Sequence, residues 1–243
     1  MHILGRGFIA SNFACLSELH ARTVLFAAGV SNSRCLDEAE FHREIVMLDD
    51  AIRHCRVNDL KLVYFSSSGL VYGGYPGYTQ EDGPSVPNTA YGKHKLAMER
   101  AIQASGVDYL ILRLANVVGP DQKGHQLVPA LYAQMQRGVV VVWKGAHRDI
   151  IDIADVVRIT ERLLAQDVSR QVLNVASGVS VPVEDIVAHL EASIGSPVTK
   201  QYIDCPDSYA VCIDKLKKTL GAANMDVFGF DTGYYKRVIS KYY

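Results

Sequence analysis

Cysteine is sparse and unpatterned. Cys15, Cys35, Cys55, Cys205 and Cys212 contain no CxxC pair, and their odd number does not suggest a disulfide framework. Reduced thiols in a cytoplasm are the plain reading. No run of roughly 18 apolar residues is present, and the N-terminus lacks the basic segment and apolar core of a secretory signal, so the chain reads as soluble and cytoplasmic. Neither sign of charge is in excess: 25 basic and 26 acidic side chains give a formal net charge of -1. That balance offers no electrostatic footprint for nucleic acid or an anionic membrane surface. No metal site, repeat, low-complexity tract or obvious linker is indicated. Apolar residues, by contrast, make up 49% of the 243 positions, enough to bury a substantial core.

The apolar segments alternate in type. Short β-rich runs at 2–4, 23–28, 60–68, 108–116 and 171–177 are separated by stretches of helical periodicity at about 8–20, 37–56, 88–105, 126–137, 154–166 and 183–194. This alternation predicts an α/β protein with a largely parallel sheet. The Gly-, Pro- and Tyr-rich segment 73–89 joins a buried strand to a helix and is placed to form the rim of a site, or simply a surface connection. The turn-forming stretch GPDQKG at 119–124 is the natural break if there are two lobes.

The chain opens MHILGRGFIASNF, in which Gly5, Gly7 and Ala10 fit GxGxxA with a helical segment behind them. Glycine there allows a tight bend and lets backbone N–H groups approach a pyrophosphate. A plain strand-to-helix turn would look the same. The acidic residue that normally follows about 20 positions later, to bind the adenosine ribose, is missing. That distance falls in TVLFAAG, and the nearest carboxylates are Glu18 and Asp37.

A second pattern joins VYFSSSGLVYG at 63–73 to AYGKHKLAMERA at 90–101. Tyr91 and Lys95 lie four apart and share a helix face, with Ser66, Ser67 and Ser68 at a preceding strand end. Tyrosine ionises near pH 10, so its use as a base near neutrality needs a nearby positive charge, which Lys95 could supply. Taken alone, the pair could be an ordinary surface one.

In order along the chain, GRGFIAS, VLFAAGVS, LVYFSSSGLVYG, YGKHKLAMER, LRLANVVGP, HRDIIDIADV, LNVASG and DKLKKTLG make the sequence similar to the extended short-chain dehydrogenase/reductase family, also called the NAD-dependent epimerase/dehydratase family. The resemblance implies a Rossmann-like parallel sheet flanked by helices, with a small C-terminal substrate lobe. The core would comprise 1–120, joined by about 150–177, and the rest of 121–243 would form the lobe. It also implies NAD or NADP as cofactor and a nucleotide-activated sugar as substrate. Ser68, Tyr91 and Lys95 match the catalytic set, with Tyr91 as general acid/base and Lys95 lowering its pKa. Gly5, Gly7, Phe8, Ile9, Ala10, Ala27, Ala28, Ser66, Tyr91 and Lys95 match cofactor contacts. Ser68, Asn116, Gln126 and Arg148 match substrate contacts, the last offering a planar donor fork to phosphate. Without the family context, Arg148 could equally pair with Asp149 or Asp152. Family members often dimerise through the helix that carries Tyr91 and Lys95; Leu96, Ala97 and Ile102 would allow a homodimer here, or would equally serve to pack that helix on its own sheet.

The chain departs from the family pattern in two ways. Its first helix runs directly into RTVLFAAGVSNS, so the second strand, its helix and the third strand are absent, and the adenosine pocket with them. Gly69 and Leu70 stand where dehydrating members carry Asp-Glu, and no cysteine replaces that of members combining ring epimerisation with reduction. Keto-sugar reduction, or epimerisation through a transient ketone, remains. Reduction is slightly favoured, because a reductase that exchanges cofactor each turnover tolerates weak adenosine binding better. The alternative is a non-catalytic or regulatory protein that keeps the fold and has lost normal dinucleotide binding.

Overall fold

The computed structural model describes residues 1–73, 78–205 and 210–243, except for the side chain of Tyr78. Part of the anticipated rim segment 73–89 lies outside these residues. All five anticipated strands form and assemble into one parallel sheet, in chain order: His2–Leu4, Thr23–Phe26, Lys61–Ser67, Asp108–Leu114 and Gln171–Val175. Successive side chains alternate between its two faces, as the strand period requires. Leu25, Val63, Phe65, Leu110 and Leu112 pack on one side with Phe8, Phe13, Ile153, Val156 and Leu163. Val24, Phe26, Leu62, Tyr64 and Ile111 pack on the other with Leu48, Ile52, Met98 and Ile102. The second face is covered by the helices Glu38–Asn58 and Ala90–Ala104, the first by Ile153–Ala165.

Because the sheet runs in strict chain order, His2–Leu4 is its edge, and among the described residues no strand pairs beyond it. The strand, helix and strand missing from the sequence are therefore missing from the architecture. The first helix is also shorter than the anticipated 8–20. It runs only from Phe8 to Asn12, followed by a 3₁₀ turn at Ala14–Leu16. Ser11 Oγ and Asn12 Nδ2 both donate to the Phe8 carbonyl, at 3.1 and 2.8 Å, competing with the backbone for the acceptor that would continue the helix.

A second apolar cluster gathers Val128, Leu131, Val140, Val142, Ile186, Leu190, Val238 and Ile239 around the helices Leu127–Met135, Val183–Ile194 and Tyr234–Tyr242. Two parallel strands, Val139–Lys144 and Thr199–Asp204, lie here, and neither was anticipated. Their side chains do not alternate between apolar and polar: VVVVWK is apolar almost throughout and TKQYID largely polar. The segment carrying Val211, Ile213, Leu216, Leu220 and Phe228 joins the first cluster instead, although the sequence-based division leaves it with the lobe.

Candidate active site

The residues singled out in the sequence lie mainly just past the carboxyl ends of parallel strands, the region where open α/β sheets place their ligands. Gly5 follows the first strand, Ala27 and Ala28 the second, Ser66 to Ser68 end the third, and Asn116 follows the fourth. Gly5 has φ +135°, and a Cβ there would lie 2.5 Å from the Ala27 carbonyl oxygen, so the bend demands glycine. Gly7, the N-cap of the short helix, faces open space. Phe8 and Ala10 are buried, and Ile9 is half-buried against the same core. Any contact Phe8 makes with a phosphate thus comes from its backbone N–H. Asp37, one of the two carboxylates nearest the expected ribose-binding position, is committed as a helix N-cap, its Oδ1 accepting from the Ala39 N–H at 2.9 Å.

Ser66 is buried, and among the described residues its Oγ has no hydrogen-bond partner. An orphaned buried hydroxyl beside an open glycine turn is the kind of group a ligand satisfies, and it fits a cofactor lying across these strand ends. Ser68 is fully buried and donates to the Leu114 carbonyl at 3.1 Å. Among the described residues no hydrogen bond links it to Tyr91.

Tyr91 and Lys95 occupy the buried face of their helix, which begins at a Thr89 cap whose Oγ1 accepts the Gly92 N–H at 3.0 Å. A Cβ on Gly92 would come within 2.2 Å of the Leu70 carbonyl oxygen, so glycine lets this helix seat directly against the Ser68–Tyr72 turn. The Lys95 ammonium lies 5.7 Å from the Tyr91 ring centre. Its closest partner is Glu44 Oε1 at 2.9 Å, followed by Tyr64 Oη at 3.2 Å and the Phe65 carbonyl at 3.5 Å. Burial pushes the Tyr91 phenol above its ordinary range; Lys95 pulls it down and Glu44 pushes it up again. Burial would lower Lys95 itself, but Tyr91 and Glu44 outweigh this and raise it.

Glu44 is the participant that sequence reasoning missed. It shares the inward face of the Glu38–Asn58 helix with Leu48, Ala51, Ile52 and Cys55. A carboxylate in register with that apolar stripe was the signal available.

Asn116 and Arg148 come together through the parallel pairing of Asn116–Val118 with Ile150–Asp152. Asn116 donates its backbone N–H and its Nδ2 to the Asp149 carbonyl, both at 3.0 Å. Arg148 donates to the His147 carbonyl at 2.7 Å and lies over the Trp143 ring at 5.5 Å. Asp149 accepts from Ser177 N and Oγ and from Gly178 N at 2.8–2.9 Å, while Asp152 takes Lys241 and Tyr242 at 2.8 Å. Those two carboxylates thus serve the scaffold. Gln126 is held at 2.8 Å by Gln122, which also donates to the Val117 carbonyl, close to Asn116 in the chain.

The model of the NAD dependent epimerase/dehydratase family matches residues 10–176. Among curated relatives, the chain is 29% identical over 140 residues to dTDP-6-deoxy-L-talose 4-dehydrogenase (NAD(P)(+)) of Kitasatospora kifunensis, covering 53% of this chain and 44% of that one. It is 29% identical over 187 residues to UDP-glucose 4-epimerase of Mycolicibacterium smegmatis, covering 70% and 59%. The matched stretches thus span about half of each relative's length. The fold is shared with UDP-glucuronic acid 4-epimerase of Bacillus cereus, solved with UDP-glucuronic acid and NAD, at a TM-score of 0.74 and 22% identity, over 93% of this chain and 78% of that one. With more than half its length matched, and the turn, serine strand end and Tyr91–Lys95 helix inside or beside that stretch, the chain belongs to the NAD dependent epimerase/dehydratase family.

Proposed function

We propose that the protein is an NAD(P)-dependent oxidoreductase or epimerase acting on a nucleotide-activated sugar, with reduction of a keto-sugar favoured. The observation that carries this reading is the burial of Tyr91 and Lys95 on one helix face, beside a strand end whose Ser66 hydroxyl has no partner among the described residues. Such a cluster contributes little to packing that apolar residues would not, and burying it is costly unless it is used. The Gly5–Gly7 turn, the Ala27–Ala28 backbone and Ser66 would hold the cofactor, whose nicotinamide ring supplies or accepts hydride when bound. Tyr91 exchanges a proton with the sugar oxygen. Ser68, whose hydroxyl donates to the Leu114 carbonyl, would exchange that bond for one to a sugar hydroxyl or keto oxygen. Arg148, braced on Trp143, and Asn116 face the diphosphate. Gly69 and Leu70 supply no acid or base, which argues against dehydration.

Calorimetric titration with NAD, NADH, NADP and NADPH, alone and with UDP- and dTDP-sugars, tests the proposal. Binding of at least one dinucleotide is the expected result. Failure to bind any of them under either condition overturns it in favour of a non-catalytic protein, the reading consistent with the missing adenosine side of the fold.

A further inference from the structure

The segment that leaves the second sheet strand does not stay with its own sheet. Gly29 passes so close to the Glu44 carboxylate and the Lys95 ammonium that a Cβ there would lie 2.7 Å from each. Val30 is buried and donates its N–H to Glu44 Oε2 at 2.7 Å. Glu44 is itself wholly buried; burial alone would raise its carboxyl, but Lys95 and the hydrogen bonds around it hold it far below the usual carboxylate range, so this anchor is an anion. From that fixed point the chain runs outward through exposed residues towards the second apolar cluster. The Ser31 carbonyl lies 3.3 Å from His125 Nε2. Asn32 then closes a turn, its Oδ1 accepting the Arg34 N–H and its carbonyl the Cys35 N–H, both at 3.0 Å. The turn delivers the exposed Arg34 side chain to Trp143, whose ring centre lies 5.6 Å from the guanidinium carbon. Arg148 lies 5.5 Å from the same ring centre. An indole attracts a guanidinium through its ring electrons without using the N–H donors, which stay available for phosphate oxygens. Two like charges about one ring repel each other, and an anion reached by both turns that repulsion into a joint attraction. Among the described residues no carboxylate pairs with Arg34, and Asp37, the nearest in sequence, is committed to the Ala39 N–H.

Building on the function proposed above, we propose that Arg34 is a further substrate-binding residue: with Arg148 it forms a two-arginine grip, arranged about Trp143, for the diphosphate of the nucleotide-activated sugar. The pyrophosphate of the cofactor is the other anion to consider. The turn assigned to it, Gly5–Gly7, follows the first strand, whereas Trp143 packs against the second apolar cluster, so the guanidinium on Trp143 serves the substrate. The same short segment thus touches both ends of the site, with Gly29 against Lys95 at the reacting end and Arg34 against Trp143 at the phosphate end. A diphosphate taken by both guanidiniums is held from the sheet side through Arg34 and from the lobe side through Arg148. Arg34 belongs to no motif in the sequence, and only the path of the segment beyond Val30 brings it to Trp143.

Trp143 is the single tryptophan of the chain, so tryptophan fluorescence reads this site alone. Titration of the unsubstituted protein with UDP and with dTDP is expected to change the emission saturably for at least one of them, while uridine and thymidine, which carry no phosphate, leave it unchanged at the same concentrations. In Arg34→Gln the half-saturating concentration rises at least about tenfold, and the calorimetric affinity for NADH stays within about threefold. Arg34→Lys, which keeps the charge and loses the planar fork, falls between the two. The proposal is overturned if neither nucleoside diphosphate changes the emission of the unsubstituted protein, or if the nucleosides match them. It is equally overturned if half-saturation in Arg34→Gln stays within about twofold, or if that variant loses NADH affinity as far as it loses UDP or dTDP affinity, which would assign Arg34 to the cofactor. If circular dichroism shows Arg34→Gln unfolded, Arg34→Lys decides alone, an unmoved half-saturation overturning the proposal. Nucleoside diphosphate binding that depends on Arg34, in a protein that binds no dinucleotide, would support the grip while removing the catalytic function assigned to the site.

Discussion

Tyr91 adjoins the Lys95 ammonium, and Phe removes its phenolic proton with almost no change in volume. Tyr91→Phe is expected to lower kcat by at least about 100-fold, the usual worth of a general acid, and to leave dinucleotide affinity within about threefold by calorimetry. Asp149 gives a second residue-scale prediction. Burial pushes its carboxyl up to about 7, even though Ser177 and Gly178 donate to the charged form. A carboxyl with a raised folded pKa binds its proton more tightly folded than unfolded. The stabilisation is complete below about pH 4 and is lost as pH rises to about 7. Urea unfolding across that window should show Asp149→Asn losing a pH dependence of up to about 4 kcal/mol that the unsubstituted protein retains. Glu44, whose folded pKa is depressed, acts with the opposite sign and only at lower pH, so the two effects separate.

At the scale of elements, the Ala90–Ala104 helix is positioned at its start. Thr89 closes its first turn, and Gly92 lets it touch the Ser68–Tyr72 turn. Thr89→Ala is expected to cost about 1 kcal/mol of stability, measured by denaturant midpoint. It should also loosen the turn from which Tyr91 projects, raising KM more than a remote surface substitution of equal cost. Of the two uses the sequence leaves open for the apolar positions of this helix, packing on the chain's own sheet takes most of them. Leu96 and Ile102 are buried within the chain itself, leaving Ala97 exposed. The Phe8–Asn12 and Ile153–Ala165 helices lie on one sheet face and the Glu38–Asn58 and Ala90–Ala104 helices on the other, while the strands advance in one direction, so the first and last crossovers have the opposite hand to the two between them.

For the whole molecule, the consequence of an edge strand at His2–Leu4 is a binding surface with one side open. The strand that would hold the adenosine half of a dinucleotide is absent among the described residues, while Ser66, Tyr91 and Lys95, proposed to face the nicotinamide half, are present. Reduced nicotinamide mononucleotide is therefore expected to bind within about tenfold of NADH by calorimetry, a gap of at most about 1.4 kcal/mol. A complete adenosine clamp would open that gap to several orders of magnitude. Among the described residues no helix is long and apolar enough to cross a membrane.

Much of this was legible in the sequence. The five sheet strands and all the anticipated helices beyond the first could be read because each carries its own period: alternation or buried runs for strands, a 3.6-residue stripe for helices. The Gly5 turn and the Tyr91–Lys95 pair were equally local, one fixed by backbone sterics and the other by helix spacing. Strands Val139–Lys144 and Thr199–Asp204 were not legible, because pairing with each other, rather than alternation, is what makes them strands. Nor was Glu44, whose meaning depends on two helices and a strand meeting around one carboxylate. Local periodicity thus determined the five strands of the main sheet and the helices packed on it, whereas the charge balance at Tyr91 belongs to the tertiary structure, because electrostatic interactions depend on distances between atoms that chain position does not reveal.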